Sequence, residues 1–188
     1  MDEADLIYRA QQGDQAAWIR LVEAHQEGVF HLAYLFLGDP DEAEDVAQET
    51  FIRAFRSLER FECNRSLRPW LLRIASNLSR NQLRSSGRYW SALKRFGRRE
   101  IQAANNSLEE ASLEKESSMA LWEAVKRLRR EDQEVIYLRY FLDLSVEDTA
   151  QALKIAEGTV KSRLHRSLKR LEKVITKDFP TLIEEHTV

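Results

Sequence analysis

A chain of 188 residues with 43% hydrophobic and 32% charged side chains, six glycines and three prolines has room for one ordinary domain or two small ones, and its few turn formers suit long helices better than a β fold. Its one cysteine, Cys63, excludes an internal disulfide framework and a multi-cysteine zinc site. No run approaches ~20 apolar residues and the acidic N-terminus lacks a basic leader, so a cytoplasmic protein with no direct membrane insertion is expected.

The net charge of −2 conceals segregation: −10 over residues 1–50, +10 over 51–100, −2 over 101–132 and 0 over 133–188. Such a chain can offer an acidic face to one partner and a basic face to another, phosphate backbones being the obvious ligand of the latter. In chain order, Asp2 is placed to cap a short helix that stops at Gly13. Asp14 is placed to cap a second helix running to Gly38, in which Trp18, Leu21, Val22, Val29, Phe30, Ala33 and Phe36 recur at helical spacing. Asp39-Pro40 is a strong start signal, an N-cap followed by proline at the first helical position, where a missing N–H costs nothing. The third helix runs through DEAEDVAQETFIRAFRSLERF, with Ala43, Val46, Ala47, Thr50, Phe51, Ala54, Phe55 and Leu58 as its expected buried stripe. Opposite lies a second stripe of Asp45, Gln48, Glu49, Ile52 and Arg56. A mostly acidic row broken by one exposed isoleucine suits an interface with a basic protein, although acids in a first helical turn also satisfy the helix dipole.

Glu62-Cys63-Asn64-Arg65 makes a polar break. Ser66 is expected to cap a fourth helix, with Pro69 in its first turn, Leu71, Ile74, Ala75 and Leu78 inward, and Gly87 at its end. Arg73, Asn77, Arg80, Asn81, Arg84 and Arg88 share one side, with Trp70 and Tyr89 near the ends. Cations, amides and aromatics together equip a helix for single-stranded nucleic acid; a solvated basic face with Trp70 in the core accounts for it equally well. From Tyr89 to Ser118 the periodicity weakens, through a basic aromatic run and then an acidic run that opens with a capping box, Ser107 with Glu110. The expected architecture is all-α: two small helical domains, 1–88 and 119–178, a flexible linker 89–118 with helical pieces at its ends, and a C-terminal tail 179–188. A connector without a packing pattern is expected to leave the placement of the two domains open.

Val146 to Leu171 reads as a helix-turn-helix. Ser145 caps the first helix, Thr149, Ala150 and Leu153 face its partner, Ile155 plugs the turn and Glu157 opens the second helix. Val160, Leu164 and Leu168 are its expected inward side, leaving Lys161, Ser162, Arg163, His165, Arg166 and Lys169 outward. Between Glu157 and Lys177 the net charge is +5. A basic, polar exposed face is what entry into a major groove requires. A basic helix in an ordinary bundle is the plainer alternative, and spacing with charge favours DNA.

Together these blocks resemble a known family. AEDVAQETFIRAFRSLERF and RPWLLRIASNLSRNQLR are similar to the region-two helices of extracytoplasmic-function sigma factors, and LRREDQEVIYLRYFLDLSVEDTAQALKIAEGTVKSRLHRSLKRL resembles their region four. The resemblance implies a subunit that binds core RNA polymerase through the β′ clamp and β flap, directs promoter recognition, needs no cofactor or metal and has no enzymatic activity. It implies β′ clamp binding by Asp45, Gln48, Glu49 and Ile52. It assigns capture of a flipped minus-ten base to Glu62, Cys63, Asn64, Arg65 and Ser66, and support of strand separation to Trp70, Arg73, Asn77, Arg80, Asn81 and Arg84. Reading of the minus-thirty-five element falls to Lys161, Ser162, Arg163, His165 and Arg166. A cytoplasmic anti-sigma protein is the expected regulator. The chain departs from the family at Leu153-Lys154-Ile155-Ala156, where the turn ordinarily carries a glycine, at the variable His165, and in the arginine-rich segment Tyr89 to Arg99.

Two other classes compete. A conventional helix-turn-helix regulator explains Val146 to Leu171 but not the N-terminal blocks. An enzyme acting on nucleic acid finds no Walker loop, HExxH or metal-spaced carboxylates, and His25 and His31 are awkwardly placed for one helical face.

Overall fold

The computed structural model describes residues 2–96 and 113–184, with side chains placed over 2–85 and 119–182. Its α-helices are α1 (Glu3–Gln11), α2 (Gln15–Leu37), α3 (Pro40–Ser57), α4 (Leu67–Phe96), α5 (Leu113–Lys126), α6 (Arg130–Ile136), α7 (Val146–Leu153), α8 (Glu157–Asp178) and α9 (Thr181–Glu184). A 3-10 turn at Leu58–Arg60 follows α3, and a π-helical turn at Tyr137–Phe141 follows α6. Among the described residues there is no strand, and no helix is long and apolar enough to cross a membrane.

Local capping sets most of these boundaries. The Asp14 carboxylate accepts from the amides of Ala16 and Ala17 at 2.9 and 3.1 Å, and Gly38 ends α2 in the left-handed region at φ 73°, where a Cβ would be unfavourable. Asp39 accepts from Glu42 N at 2.9 Å with Pro40 behind it. Two boundaries differ from expectation. At the start of α4, where Ser66 is the expected cap, the amide of Leu67 donates to Glu3 Oε1 from α1, at 3.0 Å. Helix α4 runs through Gly87 to Phe96, because an isolated glycine costs a helix only ~1 kcal/mol. Of the expected linker, 97–112 lies outside the described residues, as does 185–188 of the tail.

Helices α1–α4 wrap one apolar core. The stripe on α3 is Ala43, Val46, Ala47, Thr50 and Ala54, continued by Leu58, and Thr50 meets burial by donating its hydroxyl to Val46 O at 2.7 Å. Phe55, expected within that stripe, is 53% exposed and rests on Trp18, ring centroids 5.3 Å apart. It sits one position round from the Ala54 line, towards the Ile52 side of the helix.

The C-terminal helices do not stand apart from this core. Phe36 meets Tyr137 edge to face at 5.3 Å, Tyr34 stacks on Trp122 at 6.0 Å, and most buried residues of the two halves form one contiguous cluster, with Ala33, Ala43 and Val46 in a second, smaller one. The two halves are thus in contact in this structure, where a connector without a packing pattern predicts no particular placement. The reason is visible in α2 and α4, each buried on more than one side. Val29, Leu32, Ala33, Leu35 and Phe36 on α2, and Leu71, Leu72, Ala75, Ser76 and Ser79 on α4, exceed what a single stripe requires.

Within the second half, Ser145 caps α7 by accepting from Asp148 N at 2.9 Å. Lys154 takes the left-handed conformation, φ 55° and ψ 45°, and Ile155 N closes the turn on Ala150 O at 3.1 Å. The turn without glycine therefore keeps a left-handed geometry at the cost of a Cβ in an unfavourable region. On α8 the inward line is Val160, Leu164, Ser167 and Leu171, whereas Leu168, expected inward, is 36% exposed. The line passes through Ser167 because the buried Asp132 of α6 takes its hydroxyl at 2.7 Å and also holds Arg170 Nη1 at 2.7 and 2.8 Å.

Candidate nucleic-acid interface

The loop between α3 and α4 is a short exposed turn tied down from below. Gln11, at the end of α1, donates its amide to Leu58 O at 2.9 Å and Phe61 O at 2.8 Å, and its carbonyl accepts from the Cys63 thiol at 3.1 Å. Phe61 packs on Trp70 with ring centroids 4.8 Å apart, so the loop is anchored at its start and against the first turn of α4. Glu62, Asn64, Arg65 and Ser66 are exposed and Cys63 is half-buried; Glu62 and Arg65 pair at 2.9 Å. Glu3 joins three elements: it caps α4 and lies 3.0 Å from His25 Nε2 of α2. That hydrogen bond holds its carboxyl below the ordinary glutamate value.

Trp70, Arg73 and Asn77 continue from the loop along one side of α4 and line a groove of about 1010 Å³ with Arg53, Arg60, Arg65 and Ile74. Burial lowers the pKa of the Arg73 guanidinium. The opposite wall comes from the helix-turn-helix: Glu147, Gln151, Lys154, Ile155 and Glu157. Arg80 bonds Asn77 on its own helix and reaches Glu134 Oε2 of α6 at 3.5 Å. Asn81 and Arg84 are exposed further along α4. The structure thus brings Glu62, Arg65 and Ser66 of the loop together with Trp70, Arg73 and Asn77 in one groove, with Cys63 and Asn64 outside its lining, Arg80 beside it and Asn81 and Arg84 beyond.

The other two residue sets lie elsewhere. Asp45, Gln48 and Ile52 form an exposed row on α3, Ile52 at 45%, with Glu49 half-buried and bonded to Arg53 at 2.6 Å. Gln48 donates to Glu44 at 3.1 Å. On α8, Lys161, Ser162, His165 and Arg166 are exposed and Arg163 is half-buried; none lines the groove. Among the described residues no group of three or more His, Cys, Asp or Glu side chains is placed to hold a metal.

Sequence reasoning passed over Gln11, Glu3, Ser76 and Glu134. The first two look like ordinary polar residues of a surface helix, and only the tertiary fold brings them to the loop and to α4. A polar residue beside the glycine stop of α1 was a weak available signal for Gln11.

Two helical parts, one with an exposed acidic row on α3 and an arginine-lined groove along α4, the other with a basic helix-turn-helix, are the architecture of a two-part helix-turn-helix protein. The comparisons agree in both parts. Residues 21–89 match the family described as Sigma-70 region 2, and residues 118–171 match Sigma-70, region 4. The chain is 33% identical over 174 residues to the ECF RNA polymerase sigma factor SigW of Bacillus subtilis, covering 89% of this chain and 93% of that protein. It is 31% identical over 186 residues to the RNA polymerase sigma-H factor of Pseudomonas aeruginosa, covering 92% and 93%. Among solved structures it resembles CnrH in complex with the cytosolic domain of CnrY, with a TM-score of 0.71, 25% identity and coverage of 94% of this chain and 99% of that one. It also resembles the sigma factor RpoE of Bartonella quintana in complex with the anti-sigma factor NepR, with a TM-score of 0.65, 26% identity and coverage of 85% and 96%.

The chain belongs to the extracytoplasmic-function sigma factors of bacterial RNA polymerase. It is an alternative sigma factor, directing promoter recognition and transcription initiation with that enzyme. The rival reading as a conventional helix-turn-helix regulator is not favoured, because the N-terminal half matches region two.

Proposed function

We propose a division of labour among the three surfaces. Asp45, Gln48, Glu49 and Ile52 dock on the β′ clamp, the loop Glu62–Ser66 takes a flipped minus-ten base, and Trp70, Arg73, Asn77, Arg80, Asn81 and Arg84 handle the separated strand. Lys161, Ser162, Arg163, His165 and Arg166 read the minus-thirty-five element, with the β flap holding the second domain. The chain acts in the cytoplasm and supplies no catalysis of its own. Because RpoE of Bartonella quintana is found with the anti-sigma factor NepR, an anti-sigma protein is the regulator assigned here.

The observation that carries this reading is the separation of faces. The acidic row of α3 is exposed behind an intact apolar stripe, and the outward side of α8 is exposed behind Val160, Ser167 and Leu171. Neither row is needed for packing, so their composition is free to serve partners. Because the row is exposed, a clamp contact there gains from charge complementarity more than from burial.

The test pairs two classes of substitution. Asp45→Lys with Glu49→Lys is expected to weaken core binding at least tenfold with helical content unchanged. Arg163→Ala or Arg166→Ala is expected to lower binding to minus-thirty-five duplex by ~1–3 kcal/mol where the contact is bidentate to guanine. Arg80→Ala or Arg84→Ala is expected instead to reduce permanganate reactivity of unpaired thymines in the open complex. Unchanged core affinity in the first variant, or equal defects of both arginine classes in both assays, removes the division.

A further inference from the structure

The side of α4 assigned to the promoter strand already has an occupant in this structure. Glu134 belongs to α6, in the second half of the chain, yet it is only 3% exposed. Its carboxylate partners both come from α4: the Ser76 hydroxyl donates to Oε1, and Arg80 Nη1 lies 3.5 Å from Oε2. A carboxylate is buried at tolerable cost only where donors and a cation await it, and here α4 provides both. About two turns nearer the start of α4 than Ser76, the Arg68 guanidinium donates to Leu142 O at 2.6 Å. Across the groove, Glu147 and Glu157 stand on the wall opposite Arg53, Arg60, Arg65 and Arg73. The second domain therefore sets carboxylates on or opposite a row of arginines, as a nucleic-acid strand would set phosphates.

We propose that this side of α4 is a shared docking surface, taken either by the chain's own helix-turn-helix domain or by the promoter strand, and that the two compete. In the free protein the domain is seated: Arg80 is held by Glu134, and the loop, Trp70 and Arg73 face α7 rather than solvent alone. The outward side of α8 stays clear of the groove, so the minus-thirty-five face is available while the minus-ten face is covered. Release requires α6 and α7 to leave α4 and the ring contacts of Phe36 with Tyr137 and Tyr34 with Trp122 to part with them, which exposes Glu134 and frees Arg80. The inference rests on the assignment of α4 to the minus-ten strand made above.

The experiment uses the full chain with Cys63→Ser, spin labels at the exposed positions Glu59 and Lys169, and a fluorescent single-stranded DNA of mixed sequence as the probe. The labelled protein is expected to show one short, narrow distance distribution and to bind the strand weakly. Glu134→Gln with Arg68→Ala weakens the two polar contacts to α4, leaving the apolar contacts of Phe36 with Tyr137 and Tyr34 with Trp122 in place, and beyond the Cys63→Ser of the labelling background it alters none of the residues assigned to DNA. This variant is expected to broaden the distribution towards longer distances and to bind the strand at least about tenfold more tightly, the effect of losing two charge-assisted hydrogen bonds. Adding the strand to the otherwise unaltered protein is expected to lengthen the distance as well. A long, broad distribution in the free protein, or no change of distance on adding the strand, overturns the proposal. If the double variant does not fold, Arg68→Ala alone and the strand titration still decide.

A last arm separates the proposal from the reading beneath it. Arg80→Ala in the opened variant should abolish the gain in strand affinity. If the domains part as expected but Arg80→Ala leaves strand binding untouched, the assignment of α4 to the promoter strand fails and competition with it, while docking of the two domains stands.

Discussion

Replacing Gln11 with alanine should loosen the loop between α3 and α4 without touching any exposed residue of it. Gln11 donates to Leu58 O at 2.9 Å and to Phe61 O at 2.8 Å, and accepts from the Cys63 thiol at 3.1 Å. Two neutral amide hydrogen bonds are worth ~1 kcal/mol each, and the thiol bond a few tenths at most. The site is only part-buried, so water can rehydrate the abandoned carbonyls and the full desolvation penalty does not apply. The expected loss is therefore ~2 kcal/mol, read by urea unfolding of the full chain. Because Phe61 leads into Glu62–Ser66, minus-ten strand binding by the holoenzyme should fall as well, while minus-thirty-five duplex binding should not. Gln11→Glu should be no better than alanine, since it turns acceptor oxygens towards the two carbonyls. A stability change below ~0.5 kcal/mol together with unaltered strand binding would refute the reasoning.

Two further outcomes follow from the second half. Lys154 sits at φ 55°, so Lys154→Gly should stabilise the protein by ~0.5–1 kcal/mol after the added flexibility of the unfolded chain is counted; a lower melting temperature would contradict the strain. Asp132→Ala leaves the Ser167 hydroxyl with only its own helix, where it bonds Arg163 O at 2.9 Å, and releases Arg170, whose side chain is 44% exposed and can rehydrate. The expected loss is ~2–3 kcal/mol, short of that for a fully buried pair, and duplex binding by α8 should weaken with it; chemical denaturation and duplex titration read both.

Much of the molecule was legible from residues alone because its determinants are local. Asp14, Gly38, Asp39-Pro40 and Ser145 act on amides within three or four residues or on their own φ, so helix boundaries could be read without knowing the fold. The acidic row on α3 and the basic outward side of α8 follow from helical periodicity, which assigns faces before any neighbour is known. What periodicity does not say is how many neighbours a helix has. Helices α2 and α4 are covered on a second side, so the packing of the two halves, and the burial of Ser76 and Glu134 between them, had no sequence signature. Phe55 and Leu168 were misplaced for a related reason. Each lies one residue from the true inward line, and the choice was made by distant partners: on α3 the line stays with Ala54, and on α8 the buried Asp132 draws in Ser167. Gln11 and Glu3 belong to the same class, since a side chain that serves a loop 47 residues away or a helix end 64 residues away acts through tertiary proximity. Local capping and periodicity determined the elements and their faces; long-range burial of polar groups decided which faces meet.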